Sequence, residues 1–365
     1  MKIGIDAKWF FNGPPSGKVV IKQLLEELLS DNYKTDEFYI FLNKRDKGFK
    51  FPYQRDNIKL VYIRSYNNLV SNAITLPRHS KKHKLEVVLF QNFGTLSKIK
   101  NVVYIHDLLY LDFPQFYSFK ERLYLSVLKP LAKRANTIVT ISKAERGRII
   151  KHKLGTNNVH FVYHGVDPKF KPLDKHDKLQ VETFKEKYNL PDQFILYLGR
   201  LNIRKNIANL IYAMQFVDTP LVIVGEKDHK SENLSSIIDA LSLNDKIIFT
   251  GYIEDYELPL VYAVATIFCF PSYAEGFGLP PLEAMASGTP VIVSDRTSLP
   301  EVCEDAALYV NPDDPTDIAK KINTLLASKE IIDTFANKGL VQSKKFSWKK
   351  SAENLMNIIK ATNDS

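Results

Sequence analysis

The sequence predicts an α/β protein built from two parallel-sheet domains. Short apolar runs alternate with longer amphipathic ones, and the alternation restarts after a lysine-rich stretch at residues 168–189. At 365 residues the chain also exceeds what one ordinary core organises. The strand-like runs are nearly continuous in apolar residues, as "LVIVG" and "ATIFCF" show, which fits sheets covered on both faces.

In the first half, "KIGID" reads as a strand and Gly17 to Leu29 as a helix. "EFYIFL", "IKLVYI" and "EVVLFQ" are further strands, and "NVVYIH" is a strand leading into the polar pair His106 and Asp107. "FKERLYLSVLKPLAKRA" has a helical pattern that Pro130 is expected to kink, because proline has no N–H for the helical ladder. "NTIVTIS" is the next strand, and Ser142 suits the cap of the helix "KAERGRIIKHKL". "VHFVYHGVD" closes this half, and Pro168 to Asn189 reads as a linker region.

The second half opens with the strand "QFILYLGR" and the helix "NIANLIYAMQF". "PLVIVGE", "KIIFTGYI" and "TIFCFPS" are strands, separated by the helices "ENLSSIIDALSL" and "DYELPLVYAVA". A glycine- and proline-rich loop, "YAEGFGLPP", leads to a helix predicted to begin at Pro281. The strands "PVIVSD" and "AALYV" follow, and two or three helices finish the chain.

The composition, 45% hydrophobic and 25% charged, is that of a soluble globular protein. Charge is unevenly divided. Residues 1–175 carry 31 Lys+Arg against 15 Asp+Glu, a formal +16, while residues 176–365 carry 19 against 26, or −7. The basic half suits an anionic partner, and a solvated lysine-rich surface is the competing reading. Cys269 and Cys303 lack metal-ligand spacing, and Cys269 falls in a strand pattern as a core residue. The opening "MKIGIDAKWF" reads as a strand start and not as a signal peptide. No apolar run approaches a membrane span, so any membrane contact is expected to be peripheral. These features predict a cytoplasmic protein.

Ligands of doubly wound sheets bind beyond the carboxyl ends of the strands, so the polar residues there are the candidates. Arg200 follows the strand ending at Gly199, and Lys205 lies just before a helix. Two cations beside a helix opening suit a diphosphate, and ordinary ion pairing is the alternative. After "TIFCF", Gly276 and Gly278 let the backbone approach a ligand, and the following turn offers amides for phosphate. Glu275 precedes that turn and Glu283 is expected in the first helical turn. A carboxylate has two acceptor oxygens and can take both hydroxyls of a vicinal diol, such as a sugar ring or a ribose presents. His106 and Asp107 suit contact with a sugar hydroxyl, or a structural role. Gly17, at a helix start, suits close approach to a ligand or an ordinary helix opening. No Asp-x-Asp pair follows a strand, which gives no indication of a metal-held nucleotide. The absence of GxGxxG and Walker A loops weakens dehydrogenase and NTPase readings.

"PSYAEGFGLPPLEAMASGTPVIVSD" resembles the signature of retaining nucleotide-sugar glycosyltransferases of GT-B fold, the large family 4, whose E-x7-E motif matches Glu275 and Glu283. "LGRLNIRKN", "YIHDLLYLDFP", "VYHGVDPKF" and "FSWKKSAENLM" resemble further landmarks of the family, so the resemblance spans nearly the whole chain. It implies two Rossmann-like domains facing a central cleft, with a last helix crossing back to the first. The implied domains are 1–172 with 346–365 on the acceptor side and 185–345 for the nucleotide sugar. It implies that Glu275 binds the transferred sugar, Glu283 the ribose, and Ile253 lies against the base. Arg200 and Lys205 would neutralise the diphosphate, with Gly17, Gly276, Phe277, Gly278 and Leu279 completing the donor site. His106 would touch the sugar, with Asp107 beside it. Relatives often carry a second glycine two residues after the first in the N-terminal loop, where this chain has Val19.

The resemblance implies no cofactor and no metal, only a nucleotide-diphosphate sugar as substrate. "YIHDLLYLDFP" resembles bacterial mannosyltransferases of surface polysaccharides, which implies GDP-mannose ahead of UDP-sugars. The implied acceptor is a glycan or lipid-linked glycan, with the basic half against an anionic membrane and no nucleic acid partner. A sugar-nucleotide epimerase, a phosphorylase and an inactive polyanion-binding homologue are the other readings. A phosphorylase would be longer, an epimerase would need more acid-base groups, and the intact candidate residues argue against lost activity.

Overall fold

The computed structural model describes residues 1–64, 67–155, 158–226 and 233–365. Glu232, the first residue of the predicted "ENLSSIIDALSL" helix, lies outside them. The chain divides into two compact units, Met1–Gly165 with Ser347–Ser365, and Val166–Phe346.

The first unit holds strands β1 (Lys2–Asp6), β2 (Glu37–Asn43), β3 (Ile58–Ile63), β4 (Val87–Gln91), β5 (Lys100–Ile105), β6 (Thr137–Thr140) and β7 (Val159–Phe161). They form one sheet in the order β3-β2-β1-β4-β5-β6-β7, with every pairing parallel. The second unit holds β8 (Ile195–Leu198), β9 (Leu221–Val224), β10 (Ile247–Gly251), β11 (Ile267–Phe270), β12 (Val291–Ser294) and β13 (Ala307–Val310). Their order is β10-β9-β8-β11-β12-β13, again all parallel. The continuous apolar runs are the central strands: every residue of β4 and of β11 is buried. The sheet order reverses between β1 and β4 in one unit and between β8 and β11 in the other. In doubly wound sheets such a reversal sends the connecting loops to opposite faces and leaves a crevice at the strand ends.

One element is interrupted where its proline predicts a kink, and two others differ from their sequence-based expectation. The helix expected over residues 119–135 breaks into Phe119–Ser126 and Leu128–Ala132. Pro130 cannot donate to the carbonyl of Ser126, and its ring crowds that carbonyl, so the break falls before the proline. The stretch read as a linker, 168–189, contains the Lys178–Lys187 helix and belongs to the second unit. Asp177 caps it by accepting the Gln180 amide at 3.0 Å, and Phe184 is its one buried side chain. The helix after the glycine-rich loop begins at Leu279, not at Pro281.

The last helix, Trp348–Asp364, belongs to the first unit. Its buried stripe includes Trp348, Ala352, Leu355, Met356 and Ile359, at the three- and four-residue spacing that one helical face requires. It packs against the Pro15–Leu28 helix. Thr362 Oγ1 meets Thr137 Oγ1 at 2.7 Å, and the Trp348 ring lies 5.4 Å from that of His164. The terminal helix is thus core to this unit. Leu355→Ala should destabilise the protein by about 2–5 kcal/mol, as removing a buried leucine side chain does. Urea unfolding followed by circular dichroism tests this, and a loss below measurement error would mean the helix is peripheral.

Candidate functional site

In the second unit, the reversal of sheet order brings together the segments that follow β8 and β11. The chain leaves β8 through Gly199 and forms a short 3-10 turn, Ile203–Lys205. Asn206 then adopts a left-handed conformation, φ 60°, which asparagine tolerates better than most residues. Its buried amide donates to the carbonyls of Pro271 at 3.0 Å and Pro312 at 2.6 Å. Those bonds pin the turn to the end of β11, and Lys205 reaches Glu275 as a result. Lys205 Nζ donates to Glu275 Oε1 at 2.7 Å, and Arg204 lies 3.3 Å from Glu275 Oε2. Arg204 also donates to the Ala274 carbonyl.

This cluster is nearly closed to water, with the Lys205 and Glu275 side chains 12% and 11% exposed. Burial by itself raises a carboxyl's pKa, but the charges of Lys205 and Arg204 and the Lys205 hydrogen bond outweigh it and hold Glu275 at about 2. Burial lowers Lys205 to about 8 against the pull of Glu275, with Arg204 and Arg200 pushing the same way as burial. The ammonium also lies 4.7 Å from the Phe270 ring centroid. At neutral pH both partners are charged. Arg200 itself is exposed.

The loop beyond Glu275 is held from beneath. Ser298 Oγ donates to the carbonyls of Glu275 at 3.0 Å and Phe277 at 2.7 Å, and the Glu275 amide donates to Thr297 Oγ1 at 2.9 Å. Phe277 is buried against Phe346, with ring centroids 5.9 Å apart. Gly276 is buried and Gly278 caps the helix at φ 120°, where a Cβ would also come within 2.9 Å of Leu299. Pro280 and Pro281 sit in the first helical turn and have no N–H, so they offer phosphate nothing. The N–H groups at this opening come from Gly278 and Leu279.

Glu283 lies in the second turn of this helix, not the first as the sequence suggested. Tyr262 Oη donates to its Oε2 at 2.9 Å. Burial pushes Glu283 up to about 7; Tyr262 and Lys169 pull it down, while Asp167 and Asp255 push it further up. Ile253 follows β10 and is only 2% exposed.

In the first unit, His106 follows β5 and Asp107 is exposed beside it. His106 Nε2 lies 2.9 Å from Gln91 Oε1, and Asp107 Oδ1 accepts the Leu109 amide at 3.4 Å. Gln91 is therefore the side chain that holds the imidazole, a partner the sequence did not single out. Burial lowers His106 to about 4, so the ring is neutral at physiological pH. Gly17 has a steric reason to be glycine: a Cβ there would come within 2.8 Å of the Trp9 ring, which in turn lies 5.3 Å from the His106 ring. Among the described residues no cluster of three His, Cys, Asp or Glu could hold a metal ion.

Two family models match consecutive parts of the chain: Glycosyltransferase Family 4 over residues 18–170 and Glycosyl transferases group 1 over residues 180–342. The serotype-specific mannosyltransferase WbdA of Escherichia coli is 33% identical over 269 residues, covering 69% of this chain and 32% of that protein. The O-antigen chain mannosyltransferase RfbU of Salmonella typhimurium is 31% identical over 249 residues, covering 67% of this chain and 66% of that one. The match thus spans about a third of WbdA's length. Among solved structures, a sucrose-phosphate synthase from Thermosynechococcus elongatus superposes with a TM-score of 0.78 at 20% identity, over 99% of this chain and 98% of the other. That likeness establishes the two-domain GT-B fold.

The Lys205–Glu275 pair makes a stability prediction. Lys205→Met should cost about 3 kcal/mol at pH 7, the low end for breaking a buried pair, because Arg204 remains. Glu275 titrates lower folded than unfolded, so its contribution is whole above pH 4.5 and is lost as pH falls toward 2. The gap between wild type and Lys205→Met in urea unfolding should therefore shrink from pH 7 to pH 3. A gap constant with pH would show that the ion pair is not its source.

Proposed function

The chain belongs to the group 1 glycosyl transferases, and we propose that it moves a hexosyl group from a nucleotide-diphosphate sugar to a hydroxyl of a glycan or lipid-linked acceptor. The observation that carries this reading is the clustering of Lys205, Arg204 and Glu275 directly before a helix opening. Such a cluster offers a diphosphate two cations, with Arg200 as a third, and the amides of Gly278 and Leu279. Glu275, released from those cations by the incoming phosphates, takes hydroxyls of the transferred sugar. Gly276 and Phe277 carry the backbone past that sugar, and Glu283 takes the ribose diol. The base lies along the segment that holds Ile253. His106 takes a substrate hydroxyl, with Asp107 at the same turn and Gly17 leaving room for the Trp9 ring beside it.

When the C1–O bond breaks, negative charge grows on the diphosphate. Fixed cations and amides stabilise that charge without reorganising, which is where such sites gain most. We assign the neutralisation to these groups. We propose transfer with retained configuration by same-face attack, the reading that the resemblance of the Glu275–Glu283 segment supports, with the leaving phosphate accepting the proton of the acceptor hydroxyl. Mannosyl is the first candidate for the transferred group and GDP-mannose for the donor, supported by the mannosyltransferase relatives. Surface polysaccharide synthesis is the setting they suggest.

We further propose a cytoplasmic protein that touches an anionic membrane surface through its first unit. Support comes from the Phe119–Ser126 helix, which buries none of its residues. Phe119 and Leu123 are 71% and 61% exposed beside Lys120 and Arg122. Among the described residues no helix is long and apolar enough to cross a membrane.

Three measurements test these readings. In a thermal-shift panel, one nucleotide sugar should stabilise the wild type, and Glu275→Ala should still bind free nucleotide while losing transfer. Stabilisation by none, or unchanged turnover, would remove the donor assignment. Because Glu283 titrates near 7 and binds a diol best when ionised, nucleotide affinity should rise from pH 5.5 to pH 7, below the range in which Lys205 loses its charge. Glu283→Gln should flatten that rise; an equal slope would exclude Glu283 from the ribose site. Flotation with anionic vesicles should recover the protein, and Phe119→Ala with Leu123→Ala should weaken recovery; no flotation even at low salt would contradict membrane contact.

A further inference from the structure

Four buried polar residues of the first unit take no part in the donor chemistry proposed above. Asp6, Lys8, Asn72 and Gln91 are between 0% and 3% exposed. Asp6 ends β1 and Gln91 ends β4, the neighbouring strands at which the sheet order reverses. Lys8 Nζ donates to Asp6 Oδ1 at 2.6 Å and to Asn72 Oδ1 at 2.8 Å. Asn72 Nδ2 donates to the carbonyls of Gln91 at 3.1 Å and Phe93 at 2.7 Å. The Gln91 amide N–H donates to Asp6 Oδ2 at 3.4 Å. The backbone of Gln91 is thus gripped at its N–H and at its carbonyl.

A polar cluster this deep is expensive to leave unsatisfied, and through Gln91 it reaches His106. The Gln91 side-chain carbonyl lies 2.9 Å from His106 Nε2. An amide carbonyl can only accept, so the nitrogen facing it must donate. The ring is further bracketed by Trp9 and Tyr104, at 5.3 and 5.2 Å between centroids. The backbone N–H of His106 donates to Asn92 Oδ1 at 3.1 Å. Nδ1 of His106 has no partner among the described residues, and the residue is partly exposed.

We propose that Gln91 is a positioning residue that fixes His106 as the Nε2–H tautomer and leaves Nδ1 as the lone-pair nitrogen for a substrate hydroxyl. Asp6, Lys8 and Asn72 hold Gln91 in register for this task. His106 therefore accepts a hydrogen bond from substrate and does not give one. The substrate part of this inference rests on the glycosyl-transfer reading; the tautomer does not. Gln91 Nε2 has no acceptor among the described residues. The opposite amide orientation would present a donor to His106 and demand the Nδ1–H form, so the tautomer decides between the two.

The test is long-range proton–nitrogen correlation on histidine-labelled full-length protein at pH 7.5, with His106 assigned by the signals lost in His106→Asn. The wild type should show a protonated Nε2 and an unprotonated Nδ1. Gln91→Ala should lose this fixed form and give exchange-averaged tautomers, and Gln91→Glu, which restores an acceptor, should recover it. An Nδ1–H wild type, or an unchanged spectrum in Gln91→Ala, would overturn the proposal. If Gln91→Ala fails to fold by circular dichroism, the wild type and Gln91→Glu decide it. With the donor identified, kcat of Gln91→Ala should fall by about tenfold, the order of one lost hydrogen bond, with donor KM nearly unchanged. A change in KM alone would count against the positioning role. Absence of transfer in a wild type with the expected tautomer would fault the glycosyl-transfer reading and not this one.

Discussion

Lys205 and Glu275 face each other at 2.7 Å with little access to water, and the second unit's site is organised around that pair. A buried charge is tolerated only with a partner in good geometry, so the loops on either side must be held closely. Asn206 holds one of them through two backbone carbonyls, at a left-handed position few side chains tolerate. Ser298 and Thr297 hold the other through the backbone of Glu275 and Phe277. Arg204 adds a second cation, 3.3 Å from the same carboxylate. An anion arriving there meets cations that are already fixed.

The two glutamates of this loop and helix show how environment divides one residue type into two. Glu275 has two cations against it and is held at about 2. Glu283, eight positions later, has a tyrosine hydroxyl within hydrogen-bond reach, and the cation near it is offset by two aspartates, so burial raises it to about 7. One is an obligate anion and the other is poised near neutrality. The same logic applies to His106, kept neutral by burial and held by an amide instead of a carboxylate.

The central strands were legible because parallel strands covered on both faces must be apolar along their length, and twelve of the thirteen described strands fall on runs that read as strands. The loops carrying Glu275 and Lys205 were legible for a related reason, since ligand sites of such sheets lie at strand ends. The Lys178–Lys187 helix was hidden by its composition: one buried phenylalanine among lysines leaves no apolar stripe to read. The part played by Arg204 was hidden because one turn of 3-10 helix, not a sequence spacing, aims it at Glu275. Gly17 read as a candidate ligand contact, whereas its closest constraint is the Trp9 ring, a contact between residues eight apart that no periodicity reports. Gln91 looked like the end of a strand, and only the packing of β4 beside β5 brings it to His106.

The central claim is that the Lys205–Glu275 pair is a donor-free arrangement which a diphosphate takes apart. A crystal structure of the protein with an intact nucleotide-diphosphate sugar bound tests this most directly. The account predicts Lys205 and Arg204 within hydrogen-bond distance of phosphate oxygens, with Glu275 accepting from hydroxyls of the sugar. A bound nucleotide sugar with Lys205 and Glu275 still 2.7 Å apart, and no phosphate at either cation, would contradict it.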